Sequence, residues 1–134
     1  MEVHQGRLLD HVHLRVRDLE ASKRFYRAVL ESIGRELTRE SEHAFSADEL
    51  YVSDDGEPTS GLHLAFQAAD RDAVARFQEA ALAAGGSDNG RPGERTYHPG
   101  YYAAYALHSD GNNVEAVFHG PTTRSADSVV VTPA

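Results

Sequence analysis

A shift of 52 residues lays the first part of this chain on the second, and that self-match constrains the fold more than any other feature. It superposes His11 on His63, Asp18 on Asp70, Ala21 on Ala73, Arg24 on Arg76 and Phe25 on Phe77. It also brings Ala28 onto Ala80, Leu30 onto Leu82 and Gly34 onto Gly86. These are eight identities without a gap over 24 residues. Unrelated stretches of such composition share roughly two. An Ala-rich helix inflates the background, but the matched His, Asp, Phe and Gly remain. A duplicated unit is therefore the first inference, and the fold class must accommodate it.

The repeating unit reads as strand then helix. Residues 8–17 alternate, with Val12, Leu14 and Val16 on one side and His11, His13 and Arg15 on the other. That is the period of a strand with one buried face. Asp18 is placed to cap a helix in which Phe25, Tyr26, Val29, Leu30 and Ile33 recur at helical spacing, and Gly34 stops it. Residues 35–53 suggest two or three short strands. Residues 61–68 and 70–84 restart the pattern as strand and helix, closed by Gly85 and Gly86. Residues 87–94 (SDNGRPGE) read as a loop, followed by tyrosine-rich strand material and a last strand at 113–119.

The organisation expected is one domain over 1–134. It holds a first module at 8–53, a linker at 54–60 rich in turn formers, a second module at 61–119 and a tail at 120–134. Within the tail, residues 129–131 can add an edge strand. Asp18 and Asp70 read as caps, and Phe25 and Phe77 as core anchors.

Composition removes several functions. A formal charge of -8 gives no electrostatic footprint for nucleic acid. With no Cys, disulfides, thiolate ligands and a cysteine nucleophile are excluded, so any metal must be held by His and carboxylate. No apolar run approaches the roughly 20 residues that span a bilayer, and the first residues lack the apolar core of a secretory signal. A soluble, cytoplasmic chain with no membrane partner is expected.

Two equivalent histidines on module-opening strands can converge if the modules pair about a twofold that sets those strands side by side. Glu115, on the final strand, alternates with Val114 and Ala116 and so faces away from the helix-packed side. Two imidazoles and a carboxylate suit Fe(II), Mn, Co, Ni or Zn and leave positions open for substrate. A second cluster, Arg95, Tyr97, His98, Tyr101 and Tyr102, can wall a pocket and donate hydrogen bonds to an oxyanion. Tyr101 is the proton carrier favoured there, with Tyr97 as the other choice. His13 shares the face of His11. His43, His98, His108 and His119 read as exposed.

These residues carry a family resemblance. Asp10-His11-Val12 with Asp18-Leu19, Ser22 and Phe25-Tyr26, then Gly61-Leu62-His63, then Asp110-Gly111-Asn112-Asn113-Val114-Glu115, resembles the vicinal oxygen chelate superfamily. Glyoxalase I, extradiol dioxygenases, fosfomycin-resistance enzymes and bleomycin-resistance proteins belong to it. The resemblance implies an α+β fold in which paired βαβββ modules form a curved mixed sheet around a cleft, often completed by a homodimer. It implies His11, His63 and Glu115 as ligands of a divalent ion. A fourth ligand from the last strand of the first module falls on Glu49 or Tyr51, with Tyr51, His13, Arg95, Tyr97 and Tyr101 toward a small-molecule substrate.

Two functions follow. One is a metal-dependent enzyme chelating vicinal oxygens, with lyase, isomerase or dioxygenase chemistry in which Glu115 and Tyr101 take part. The other is a metal-free protein that sequesters a drug-like molecule, for which acidic charge and a tyrosine-lined groove suit a cationic aromatic ligand.

Overall fold

The computed structural model describes residues 2–132. Pro133 and Ala134, the end of the expected tail, lie outside the described residues.

β1 (Val12–Arg15) leads into α1 (Leu19–Ser32), then β2 (Arg39–Glu40), β3 (Ala44–Ala47) and β4 (Leu50–Ser53). β5 (His63–Gln67) leads into α2 (Arg71–Ala83), then β6 (Ser87–Glu94), β7 (Tyr102–Leu107) and β8 (Asn113–Phe118). Each βαβββ module pairs its own strands, in the orders β1-β4-β3-β2 and β5-β8-β7-β6. The first and last strands of a module run parallel and the rest antiparallel. This mixed arrangement, repeated, is the α+β architecture the repeat implies.

Local chemistry fixes the helices. The Asp18 carboxylate accepts from Ala21 N at 3.0 Å and that of Asp70 from Ala73 N at 2.7 Å, each satisfying one orphan amide of a first turn. α1 ends before Gly34, whose φ of +81° an L side chain rarely adopts. Its buried face holds Leu19, Phe25, Tyr26, Val29 and Leu30, and that of α2 holds Val74, Phe77 and Ala81. Together with Leu14, Val16, Phe45, Val52, Val114 and Ala116 these form one core spanning both modules. Burial of each large side chain contributes about 1.5–3 kcal/mol before entropy is counted.

Four expectations are corrected, the last at His108. Residues 87–94 are not a loop: β6 pairs with β7 throughout, its glycines and Pro92 absorbed at an edge with two register shifts. β1 and β5 do not pair with each other. Each is the edge of its own sheet, so the single chain does not set His11 beside His63 through strand pairing. Residues 129–131 form no strand, and their valines are exposed.

His108, read as exposed, is buried. It sits in the β7–β8 turn, where its Nε2 lies 3.2 Å from Ser22 Oγ and its ring packs on Phe25 and Tyr26 of α1. Asp110, in the same turn, accepts from Arg17 N at 3.2 Å. Asn112 accepts from Leu62 N and donates to Thr59 O, at 3.0 and 2.8 Å. This turn of the second module therefore clasps both α1 and the linker.

Candidate metal and substrate site

Register decides which side chains meet. On β8, Glu115 lies between Ala65 of β5 and Tyr105 of β7, while His63 pairs with Asn113. Residues two apart on a strand share a face, so His63, Ala65 and Glu115 point the same way. Ala65 offers only a methyl beside Glu115, which leaves room for the imidazole of His63 to reach the carboxylate.

Glu115 is 2% exposed. His63 Nε2 donates to Glu115 Oε1 at 2.7 Å, and the Tyr101 hydroxyl donates to Oε2 at 2.5 Å. Both carboxylate oxygens are thus partnered, as a buried carboxylate requires. Burial first, then the bond to Glu115, push the Tyr101 phenol well above its ordinary range, so it holds its proton at neutral pH. Tyr105, its ring 5.9 Å from that of His63, is raised by burial and by the charge of Glu115, with Arg95 pulling the other way. Tyr97 packs edge-on against Tyr101 at 4.9 Å.

A histidine pair adjoins this cluster, joining His98, which the sequence groups with the tyrosines, to His119, which is half-buried and not exposed as expected. His98 and His119 lie 21 positions apart, yet His98 Nε2 and His119 Nδ1 are 2.9 Å apart, with ring centres 5.2 Å apart and planes tilted by 16°. Such rings meet end to end through an N–H···N bond. His98 Nδ1 donates to Pro99 O at 2.9 Å, so its Nε2 accepts and His119 Nδ1 is the donor. Both rings stand nearly perpendicular to Tyr101, at 5.4 and 5.1 Å, and steady it over Glu115. Burial, then His98, lower the pKa of His119. Continued strand alternation, 115 to 117 to 119, is the signal that could have placed His119 on this face.

The first module carries its candidates on a different sheet. His11 donates through Nδ1 to Asp10 at 2.6 Å, which leaves Nε2 as a free lone pair, the state in which a histidine binds metal. Both partners are exposed. His13 packs on Tyr51 at 4.7 Å and reaches Ser53 Oγ at 2.8 Å. Tyr51 pairs with His13 as Glu115 pairs with Ala65, so Tyr51 is the first-module counterpart of Glu115. Extending the register makes exposed Glu49 the counterpart of Asn113. Among the described residues, no three His, Asp or Glu side chains are grouped closely enough to hold a metal ion.

The donor set of the second module nevertheless fits a divalent ion. An imidazole nitrogen and a carboxylate oxygen face each other across one proton, and an ion can displace that proton.

Comparison with known proteins agrees with the fold. The family model described as the Glyoxalase/Bleomycin resistance protein/Dioxygenase superfamily matches residues 8–116, and the chain belongs to that superfamily. A solved glyoxalase/bleomycin resistance protein from Albidiferax ferrireducens is 28% identical, covering 82% of this chain and 97% of that one, with a TM-score of 0.70. A family enzyme from Burkholderia phytofirmans, at 21% identity over 81% and 95% of the two chains, gives a TM-score of 0.63. Lactoylglutathione lyase from Agrobacterium tumefaciens, at 21% identity over 84% and 93%, gives 0.60. No curated protein matches the sequence. No helix is long and apolar enough to cross a membrane among the described residues.

Proposed function

We propose that this chain is a metal-dependent enzyme of the glyoxalase kind, acting on a small molecule through two neighbouring oxygens. The observation that carries the reading is Glu115. It is a carboxylate buried on the open face of a sheet, with His63 and Tyr101 as its hydrogen-bond partners among the described residues. Burying a carboxylate costs several kcal/mol, which these two partners offset, and they bring an imidazole and a phenol together on one acid.

His63 and Glu115 would hold the ion. His11 would join them from a second copy of the chain, since its own sheet is separate and its Nε2 is free. Fe(II), Ni, Co, Mn and Zn all suit these donors. The ion, when bound, supplies Lewis-acid polarisation of vicinal oxygens. Glu115 accepts a proton at a carboxylate oxygen, Tyr101 keeps its own at the hydroxyl and donates it as a hydrogen bond, and the His98–His119 pair fixes the phenol. Tyr105 borders that side, its ring beside His63.

The competing reading is metal-free capture of a cationic aromatic molecule. It is less favoured because the face of Tyr105 is already taken by the Arg95 guanidinium, 5.1 Å from the ring centre. Reconstitution with each of the five ions, followed by metal analysis and sedimentation, separates the two. Stoichiometric metal that disappears in His63→Ala, together with a dimer, supports the enzyme. A wild-type chain that stays metal-free overturns it.

A further inference from the structure

The second module holds a guanidinium in a built seat beside the site. Arg95 folds back along β6, its Nη2 donating to Arg91 O at 2.6 Å and its Nη1 to Glu94 O at 3.3 Å. Its planar head lies over Tyr105, whose ring also neighbours that of His63. The seat depends on missing side chains. A Cβ at Gly93 would stand 3.0 Å from Arg95 Nη1, and one at Gly90 would stand 3.3 Å from Nη2 and 2.6 Å from the Tyr105 ring. The two register shifts of β6 fall at these glycines.

Four other arginines of this acidic chain take carboxylates among the described residues. Arg15 pairs with Asp55, Arg17 with Asp110, Arg27 with Glu40 and Arg71 with Glu94. Glu94, the acid next to Arg95 in sequence, is turned to Arg71 at 2.7 Å. Among the described residues Arg95 has no carboxylate within ion-pair distance. Two carbonyls occupy only part of its five-donor fork, and an immobilised guanidinium loses little entropy on binding a planar oxyanion.

The geometry points to Arg95 as an anchor for a carboxylate on the substrate, beside the same Tyr105 ring that neighbours His63. The substrate class is then a small molecule with two adjacent oxygens at one end and a carboxylate at the other. The inference rests on the chelating-site reading for the first end only.

Three probes test it: 3,4-dihydroxybenzoate, its neutral analogue 3,4-dihydroxybenzamide, and catechol. Each is titrated by calorimetry against the full chain with and without added Mn(II). The carboxylate should bind about tenfold tighter than the amide. Arg95→Gln should abolish that preference. Gly93→Ala, which keeps the charge but pushes on Nη1, should reduce the preference, with thermal melts confirming the fold of both variants. Equal binding of carboxylate and amide, or a preference that survives Arg95→Gln, overturns the anchor. A carboxylate preference that persists while Mn(II) strengthens no probe leaves the anchor standing and removes the chelating site instead.

Discussion

Tyr51 occupies in the first sheet the place that Glu115 occupies in the second, each across from the β-strand that opens its module. The two halves share a frame, yet only one carries an acid at that point. If the faces meet across a dimer, an acid at position 51 would stand in the first module where Glu115 stands in the second. Tyr51→Glu should therefore tighten Ni or Zn binding by about tenfold, which corresponds to 1.4 kcal/mol. Competition with a chelating dye measures it, and unchanged affinity would mean that the first-module face does not reach the ion.

Loss of either His63 or Glu115 should be felt in folding. The His63 side chain is 53% exposed and its removal buries no new group, but it leaves Glu115 Oε1 without its donor, so His63→Ala should lose metal and also lower the melting temperature. Glu115→Ala removes a buried group and leaves the Tyr101 hydroxyl without its acceptor, at a cost of about 1–3 kcal/mol. Paired thermal melts and metal analysis check both halves of this expectation.

Acid should loosen the clasp between modules. Burial holds the His108 imidazole below its ordinary pKa, with Asp110 opposing, so the folded chain resists a proton that the unfolded chain takes up near pH 6.5. The stabilising contribution is whole above about pH 6.5 and is lost as pH falls toward the lower folded pKa. The urea midpoint should drop between pH 7.5 and 5. His108→Gln should make that drop shallower, and His119, lowered in the same direction, accounts for part of the slope that remains.

The duplicated caps offer a test of independence. Asp18→Ala and Asp70→Ala should each cost about 1 kcal/mol. The two sites share no partner, so the double variant should show the sum. Urea denaturation at neutral pH reads all three variants.

What the sequence disclosed follows from which forces are local. The helices were legible because capping aspartates, apolar spacing and terminal glycines act within a few residues, and duplication exposed them twice. β6 was hidden because Asp, Asn, Gly and Pro are poor strand formers by propensity. An edge partner and two bulges overrode that preference. His63, Glu115 and Tyr101 were recognisable as chemical types, and the structure joins them. Glu49 and Tyr51 were inseparable because both lie on one face by alternation, and only pairing across to β1 distinguishes them. His108 sits in a turn, where no periodicity signals burial.

The irregularity of β6 has a second use. An edge strand offers its unpaired amides and carbonyls to any passing strand, and regular, flat edges recruit copies of themselves. Here Pro92 removes one donor, and the shifts at Gly90 and Gly93 bend the ribbon that seats Arg95. Restoring a regular, side-chain-bearing β6 would therefore do more than unseat one guanidinium. It would present the second module with a straight, adhesive border, and insolubility on concentration would be its first symptom.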